Sequence, residues 1–231
     1  MNKFFRRIWK FFLYFLLIYF GTSILFVIAY RFINPPVTPL MVIRLVQQAY
    51  NGQAIKLKHD WIPLKDMSTS LPQAVVAAED NLFMEHSGFD FEAIQKAREF
   101  NEEKKGKKVR GASTISQQTA KNVFLWSQRS WVRKGLEVYF TLLIELVWGK
   151  KRIMEVYLNV IETGKGIYGV EAASQQYFGK SAAKITRGEA ALIAAVLPNP
   201  LKWNPSAPTA YILRRQQWIL WNMNNIGKLG Y

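Results

Sequence analysis

A mainly α-helical domain behind a single N-terminal transmembrane helix is what this sequence predicts. Three observations predict it. Phe11 to Tyr30 is a run of twenty residues without a charge. Helix capping residues and stop signals recur along the rest of the chain. Alternating apolar and polar runs bounded by turn residues, the mark of strands, are hard to find.

The twenty uncharged residues would rise about 1.5 Å each and span roughly 30 Å, the hydrocarbon thickness of a bilayer. A soluble core helix would show polar positions at helical spacing, and here only Gly21, Thr22 and Ser23 interrupt. A signal peptide has a shorter apolar core and a small-residue cleavage site, whereas Tyr30, Arg31 and Phe32 follow this run. Lys3, Arg6, Arg7 and Lys10 precede the span, and Arg31 and Arg44 are the first cations after it. The positive-inside rule therefore places residues 1–10 in the cytoplasm as a short tail. Residues 11–30 form the membrane helix, and the rest lies outside the inner membrane.

Residues 31–70 read as a membrane-proximal segment and linker. Asn34, Pro35, Pro36 and Pro39 make a stiff exit, Val42 to Tyr50 a short helix, and the remainder irregular or partly extended chain. The domain proper occupies 71–231. Pro72 sits early in a helix running through Ala78, with Ser70 near its cap. Asp90 caps a helix ending near Glu103, and Lys104 to Arg110 form a basic loop. Ser113 or Thr114 starts a helix ending near Leu125. Trp131 to Trp148 is long and amphipathic, and Lys151 to Ile161 follows. Gly164, Gly166 and Gly169 mark a turn before a helix from Val170 to Tyr177. Thr186 and Glu189 form a capping box ahead of Ala190 to Leu197. Thr209 to Ile226 closes the chain, stopped by Gly227.

Composition narrows the chemistry. With 31 Lys and Arg against 16 Asp and Glu, the formal charge is +15, and half the residues are hydrophobic. An acidic or disordered chain is excluded. There is no cysteine, so a disulfide framework, a zinc–thiolate cluster and a catalytic thiol are excluded too. A His-rich metal site fails, because His59 and His86 are the only histidines. Five cations and no acid lie in the first 31 residues, so +15 less five leaves +10 for residues 32–231. An outward-facing domain at a membrane rarely meets DNA. Anionic headgroups or a phosphate-bearing substrate suit that charge, and no nucleic acid partner is expected.

Three constellations carry chemistry. Glu79 to Gly88 (E-D-N-L-F-M-E-H-S-G) follows an apolar helix. It reads either as a helix end with solvated acids or as a carboxylate at the lip of a cleft, where partial burial suits a general base. Gly111 to Asn122 (G-A-S-T-I-S-Q-Q-T-A-K-N) puts Thr114, Gln118 and Lys121 or Asn122 on one helix face. That face is either solvated or a cradle for phosphate oxygens and sugar hydroxyls. Arg133-Lys134-Gly135-Leu136-Glu137 is either a surface ion pair or a second carboxylate among cations that hold a leaving diphosphate. Ser181-Ala182-Ala183-Lys184 matches the S-x-x-K of penicillin-binding serine enzymes, but no S-D-N-like and K-T-G pair follows. It reads as an ordinary loop.

In order, these elements resemble the family 51 glycosyltransferases. The matching runs are E-D-x-x-F-x-x-H-x-G from Glu79, G-A-S-T-I-S-Q-Q-x-A-K-N from Gly111 and R-K-x-x-E from Arg133. They continue with K-K-R-I-x-x-x-Y-L-N from Lys150, G-V-E-A-A with Y-F between Gly169 and Phe178, and E-A-A-L-x-A-A-V-L-P-N-P from Glu189. Ala112 departs from the second glycine of many relatives, and Thr163 from a common aromatic residue before Gly164. The resemblance implies a lysozyme-like, bilobed domain that polymerises lipid II into linear glycan strands and releases undecaprenyl diphosphate. It implies Glu79 as the base for the acceptor hydroxyl and Glu137 as a second catalytic carboxylate. Glu137 has three open roles: binding a divalent cation (Mg or Mn), orienting Arg133, or assisting departure. The implied substrate-binding set is Asp80, Phe83, His86, Ser113, Thr114, Gln118, Lys121, Asn122, Arg133 and Lys134. The implied partners are lipid II, the lipid-linked glycan chain, the inner membrane, and penicillin-binding proteins of the divisome or elongasome. A peptidoglycan-cleaving hydrolase and a non-catalytic wall-binding protein are the competing readings. A hydrolase needs a carboxylate acting as an acid but no cation cluster for a diphosphate.

Overall fold

The computed structural model describes residues 3–104, 111–227 and 229–230, with the backbone alone at Lys3. The basic loop expected at 104–110 lies, apart from Lys104, outside the described residues. Ten helices carry the described chain: α1 (Lys3–Phe32), α2 (Pro39–Tyr50), α3 (Ser70–Glu79), α4 (Phe91–Glu103), α5 (Ile115–Phe124), α6 (Trp131–Val147), α7 (Gly149–Val160), α8 (Val170–Phe178), α9 (Arg187–Val196) and α10 (Ala210–Ile226). The mainly α class is as expected.

The expected caps are where the chain turns into helix. Asp90 accepts from the Ala93 N–H, and Thr114 and Thr186 both close capping boxes, with Gln117 and Glu189. Each such cap is worth about 1 kcal/mol. Gly227 stops α10 with φ of 70°. The S-x-x-K segment is structural: Ser181 caps a 3-10 turn at Ala182–Lys184 and donates to Glu171 Oε2.

The sheet is what the sequence reading lacked. β1 (Lys58–His59), β2 (Glu162–Gly164) and β3 (Ile167–Tyr168) lie in the order β1-β3-β2, β1 parallel and β2 antiparallel to β3. Strands of two or three residues carry no periodicity to detect. Gly166 makes the hairpin possible: its φ is 67°, and a Cβ there would stand 2.3 Å from the Lys56 carbonyl oxygen. The Thr163 departure is accommodated nearby. Its hydroxyl donates to Ile167 O, while the Tyr177 hydroxyl donates to Thr163 O at 3.2 Å and fills the space beside Gly164.

Two helix groups make the core. In one, α3, α9 and α10 pack against one another, and the small residues Ala190, Ala191, Ala194 and Ala195 of α9 let the helices approach closely. In the other, α5 packs on α6 and α7, and α7 buries Ile153, Met154, Val156, Tyr157, Leu158 and Val160. The end of α3 and the faces of α5, α6 and α10 meet at the seam between the groups.

Helix α1 starts seven residues before the end of the basic tail and runs on to Phe32. Phe4–Phe32 is long and apolar enough to cross a membrane. Its C-terminal half is docked rather than free. Ser23 Oγ and the Tyr139 hydroxyl lie 2.8 Å apart, and Trp148 Nε1 donates to Val27 O at 2.7 Å. Arg152 donates to the Tyr30 and Ile33 carbonyls, satisfying acceptors that the last helical turn leaves open.

Candidate active site

Helix α3 ends at Glu79 because Asp80 leaves helical conformation, with φ −163° and ψ 78°. Asp80 then acts as a staple. One oxygen meets His86 Nε2 at 2.8 Å, and the other accepts the Ile115 N–H at 2.9 Å. His86 Nδ1 accepts from the Gly88 N–H, so the proton sits on Nε2 and is donated to Asp80. Thr114 donates to the Gly88 carbonyl at 2.7 Å while capping α5. Gly88 has φ of 91°, and a Cβ would come within 2.8 Å of Thr141 Cγ2. These bonds fix the start of α5 against the end of α3.

Four residues of the expected substrate-binding set make internal contacts. Phe83 is completely buried, with the Lys150 ammonium 4.7 Å from its ring centre. Both His86 nitrogens, the Thr114 hydroxyl and both Asp80 oxygens are spent on internal bonds. Phe83 and His86 brace the turn after α3, while Asp80 and Thr114 also line the cavity beside Glu79.

Two cavities flank the Glu79 end of α3. One, of about 400 Å³, is cationic: Arg44, Lys121, Arg129, Arg133 and Lys134 line it, with Asn122, Gln118 and Ser113. The other, of about 560 Å³, holds Glu79 itself with Asp80, Asp90, Arg215 and Trp218. Ser113 and Gln118 belong to both walls.

Gln118 aims the carboxylate. Its Nε2 donates to Glu79 Oε2 at 2.9 Å, and its Oε1 accepts from the Tyr157 hydroxyl at 3.2 Å. Burial holds the Tyr157 phenol protonated, with Glu79 and Asp80 adding to the effect, so it remains a donor. Burial also pushes the Glu79 carboxyl above its ordinary range, and Asp80 adds to that. Gln118, Arg215 and Lys121 oppose the rise. Lys121 is pushed down by burial, with Arg133 and Lys134 reinforcing and Glu137 and Glu79 opposing.

Glu137 stands at the far wall of the cationic cavity. Arg133 Nη1 donates to its Oε2 at 2.9 Å and Lys134 Nζ to its Oε1 at 2.5 Å. Arg133 is 9% exposed and Glu137 3%, which excludes the surface ion pair as a description. A divalent cation does not fit this donor set. Both Glu137 oxygens are taken by cations, and so are both oxygens of Glu162, the other carboxylate lining the cavity, which Arg44 grips. Among the described residues no group of three His, Asp or Glu is arranged to hold a metal ion.

Sequence reasoning missed Arg44, Tyr157 and Arg215. Arg44 lay in the segment read as linker, Tyr157 in the helix from Lys151, and Arg215 beside Arg214 in the closing helix. Arg215 Nη2 lies 3.6 Å from Glu79 Oε1 across 136 residues, and no local pattern carries that pairing.

The transglycosylase family matches residues 47–224. The chain is 59% identical to a biosynthetic peptidoglycan transglycosylase of Bacteroides thetaiotaomicron, over 92% of this chain and 85% of the relative. It is 57% identical to one of Caulobacter vibrioides, over 95% and 93%, and 56% identical to one of Bdellovibrio bacteriovorus, over 88% and 81%. The family match and these relatives make the chain a glycosyl-transferring enzyme. The chain belongs to the transglycosylase family, whose domain is lysozyme-like.

Proposed function

We infer that this chain is a peptidoglycan glycosyltransferase that polymerises lipid II into linear glycan strands at the membrane. One observation carries the reading. A carboxylate with raised proton affinity faces one cavity, and a cluster of cations lines the next, with Gln118 as their common wall. The reaction needs that division. A sugar hydroxyl is a poor nucleophile and requires a base, whereas a lipid diphosphate is a good leaving group and requires charge neutralisation.

Glu79 takes the proton from the acceptor's 4-hydroxyl as its oxygen bonds to the donor's anomeric carbon. The bond from that carbon to the diphosphate oxygen breaks, and its electron pair leaves with undecaprenyl diphosphate. Lys121, Arg133 and Lys134 receive the growing charge, with Ser113 and Asn122 in the same wall. Attack opposite the leaving group inverts the anomeric centre. Glu137, engaged by Arg133 and Lys134, orients these cations. The cation cavity disfavours a hydrolase, which has no anionic leaving group to hold.

The apolar helix α1 suits a membrane anchor, and its flanking charges support a cytoplasmic N-terminus in the inner membrane with the domain in the periplasm. Penicillin-binding proteins of the wall-building machinery are the candidate protein partners. Labelled lipid II incubated with the detergent-solubilised full chain should yield polymer separable from monomer. Shortening of preformed glycan strands, with no polymer made from lipid II, would instead establish the hydrolase. Protease added to spheroplasts should digest the domain, and protection until lysis would reverse the topology.

A further inference from the structure

Arg215 reaches the acid at the end of α3 from a helix that none of the expected site motifs includes. The register of α10 is set by buried Ile212, Ile219 and Met223. It is tied to the Glu79 turn by Asn222 Nδ2, which donates to the Ala77 carbonyl at 3.3 Å. That register delivers Arg215 to the second cavity, three residues before Trp218. Its Nη2 stands 3.6 Å from Glu79 Oε1, and its Nε is buried without a hydrogen-bond partner. A guanidinium used as a structural clamp would spend its donors on the backbone, as Arg152 does on α1. Among the described residues Arg215 directs its charge at one carboxylate instead.

We propose that Arg215 is a positioning residue for the base, holding the Glu79 carboxylate ionised and turned to the acceptor cavity while Gln118 pins its other oxygen. This rests on the reading of Glu79 as the base. Among the described residues five groups face Glu79: Asp80 beside it, Gln118 and Lys121 from α5, Tyr157 from α7 and Arg215 from α10. Asp80 and burial favour the protonated acid, while Gln118, Arg215 and Lys121 favour the ion. The two cations differ in use. Lys121 also faces Glu137 and lines the cavity suited to the diphosphate, so its charge is shared when substrate is bound. Arg215 lines the other cavity, so it remains available to Glu79 throughout the turnover.

The test is the pH dependence of lipid II polymerisation by the full chain, for wild type, Arg215→Gln, Arg215→Lys and Glu79→Gln. In Arg215→Gln the acid limb should move to higher pH by roughly one unit, the lower end of what an opposite charge nearby contributes. Its rate should fall about tenfold on that limb and recover towards wild type on the alkaline side. Arg215→Lys should restore most of the limb. A uniformly lower rate with the limb in place would mean a structural role and overturn the proposal. If Arg215→Gln does not fold, Arg215→Met keeps the apolar stem and is read the same way. If neither folds, a limb left in place in Arg215→Lys with wild-type rate supports the charge, and a uniform loss of rate overturns it. Glu79→Gln separates the two ideas. Should it polymerise like wild type, Glu79 is not the base. Should it be inactive while Arg215→Gln keeps its limb, the role of Arg215 alone falls.

Discussion

Glu79 and Glu137 are glutamates of similar burial, with side chains 14% and 4% exposed, placed in opposite company. Glu137 is clasped by Arg133 and Lys134, one on each oxygen. Glu79 has an amide on one oxygen and, on the other, a guanidinium beyond hydrogen-bond range. The difference shows why burial alone assigns no role. A carboxylate clasped by two cations is held as the ion and can orient them, because each positive neighbour opposes its taking a proton. One left incompletely paired beside an open cavity is suited to exchange a proton.

The contrast breaks most visibly at Glu79. Glu79→Gln keeps the shape and the contact to Gln118 but removes basicity. Polymerisation of lipid II should fall by ~10²–10⁴, the usual contribution of a positioned base. A purified variant within about tenfold of wild type would return Glu79 to the structural residues.

Arg133 tests the other side. It is expected to touch the diphosphate in both ground and transition states, so Arg133→Ala should weaken substrate affinity and turnover together. A loss on the order of 10–100-fold in kcat/KM matches one charge-assisted hydrogen bond of about 1.5–3 kcal/mol. Arg133→Lys keeps the charge without the planar fork and should be intermediate. Wild-type rates and undiminished binding of a phosphoglycolipid inhibitor in Arg133→Ala would remove it from the site.

Glu137→Gln sharpens the comparison. If Glu137 only orients cations, turnover should drop about tenfold, the size of one lost charge-assisted bond. The melting temperature should also fall, because buried Arg133 loses its counter-charge. A loss of 10² or more with an alkaline limb removed from the pH profile would instead make Glu137 an acid in leaving-group departure.

Much of this was legible in the sequence, for reasons that differ by residue. The caps at Asp90, Thr114 and Thr186 were readable because a cap is a local bond between residues three apart. The short strands and the Arg215–Glu79 approach were not, because tertiary packing alone creates them. The motifs placed Phe83, Thr114 and His86 together, but not the internal bonds that each of them makes. Spacing says which residues are near one another, not whether their donors and acceptors are already used.

The smallest expected effect is on stability, and its sign follows from the same contrast. Burial raises the proton affinity of Glu79 in the folded chain, so the folded state binds a proton more readily than the unfolded one. Stability contributed by that protonated acid is full at low pH. It is lost as pH rises from the ordinary carboxylate range through the folded value. At neutral pH the wild type therefore carries a desolvated charge that Glu79→Gln deletes. Against this, the variant leaves Arg215 and Lys121 without a counter-charge, but their pull is already contained in the net rise at Glu79, which burial dominates. Desolvation wins, and Glu79→Gln should melt a few degrees higher than wild type near pH 7–8, where 1 kcal/mol shifts Tm by about 2–4 °C at this size. The gap should close as pH falls below the ordinary carboxylate range. Thermal scans of both proteins in one detergent across pH decide it. A variant that melts lower at neutral pH would mean that Glu79 stabilises the fold through its ion pair, and the contrast with Glu137 would lose its basis.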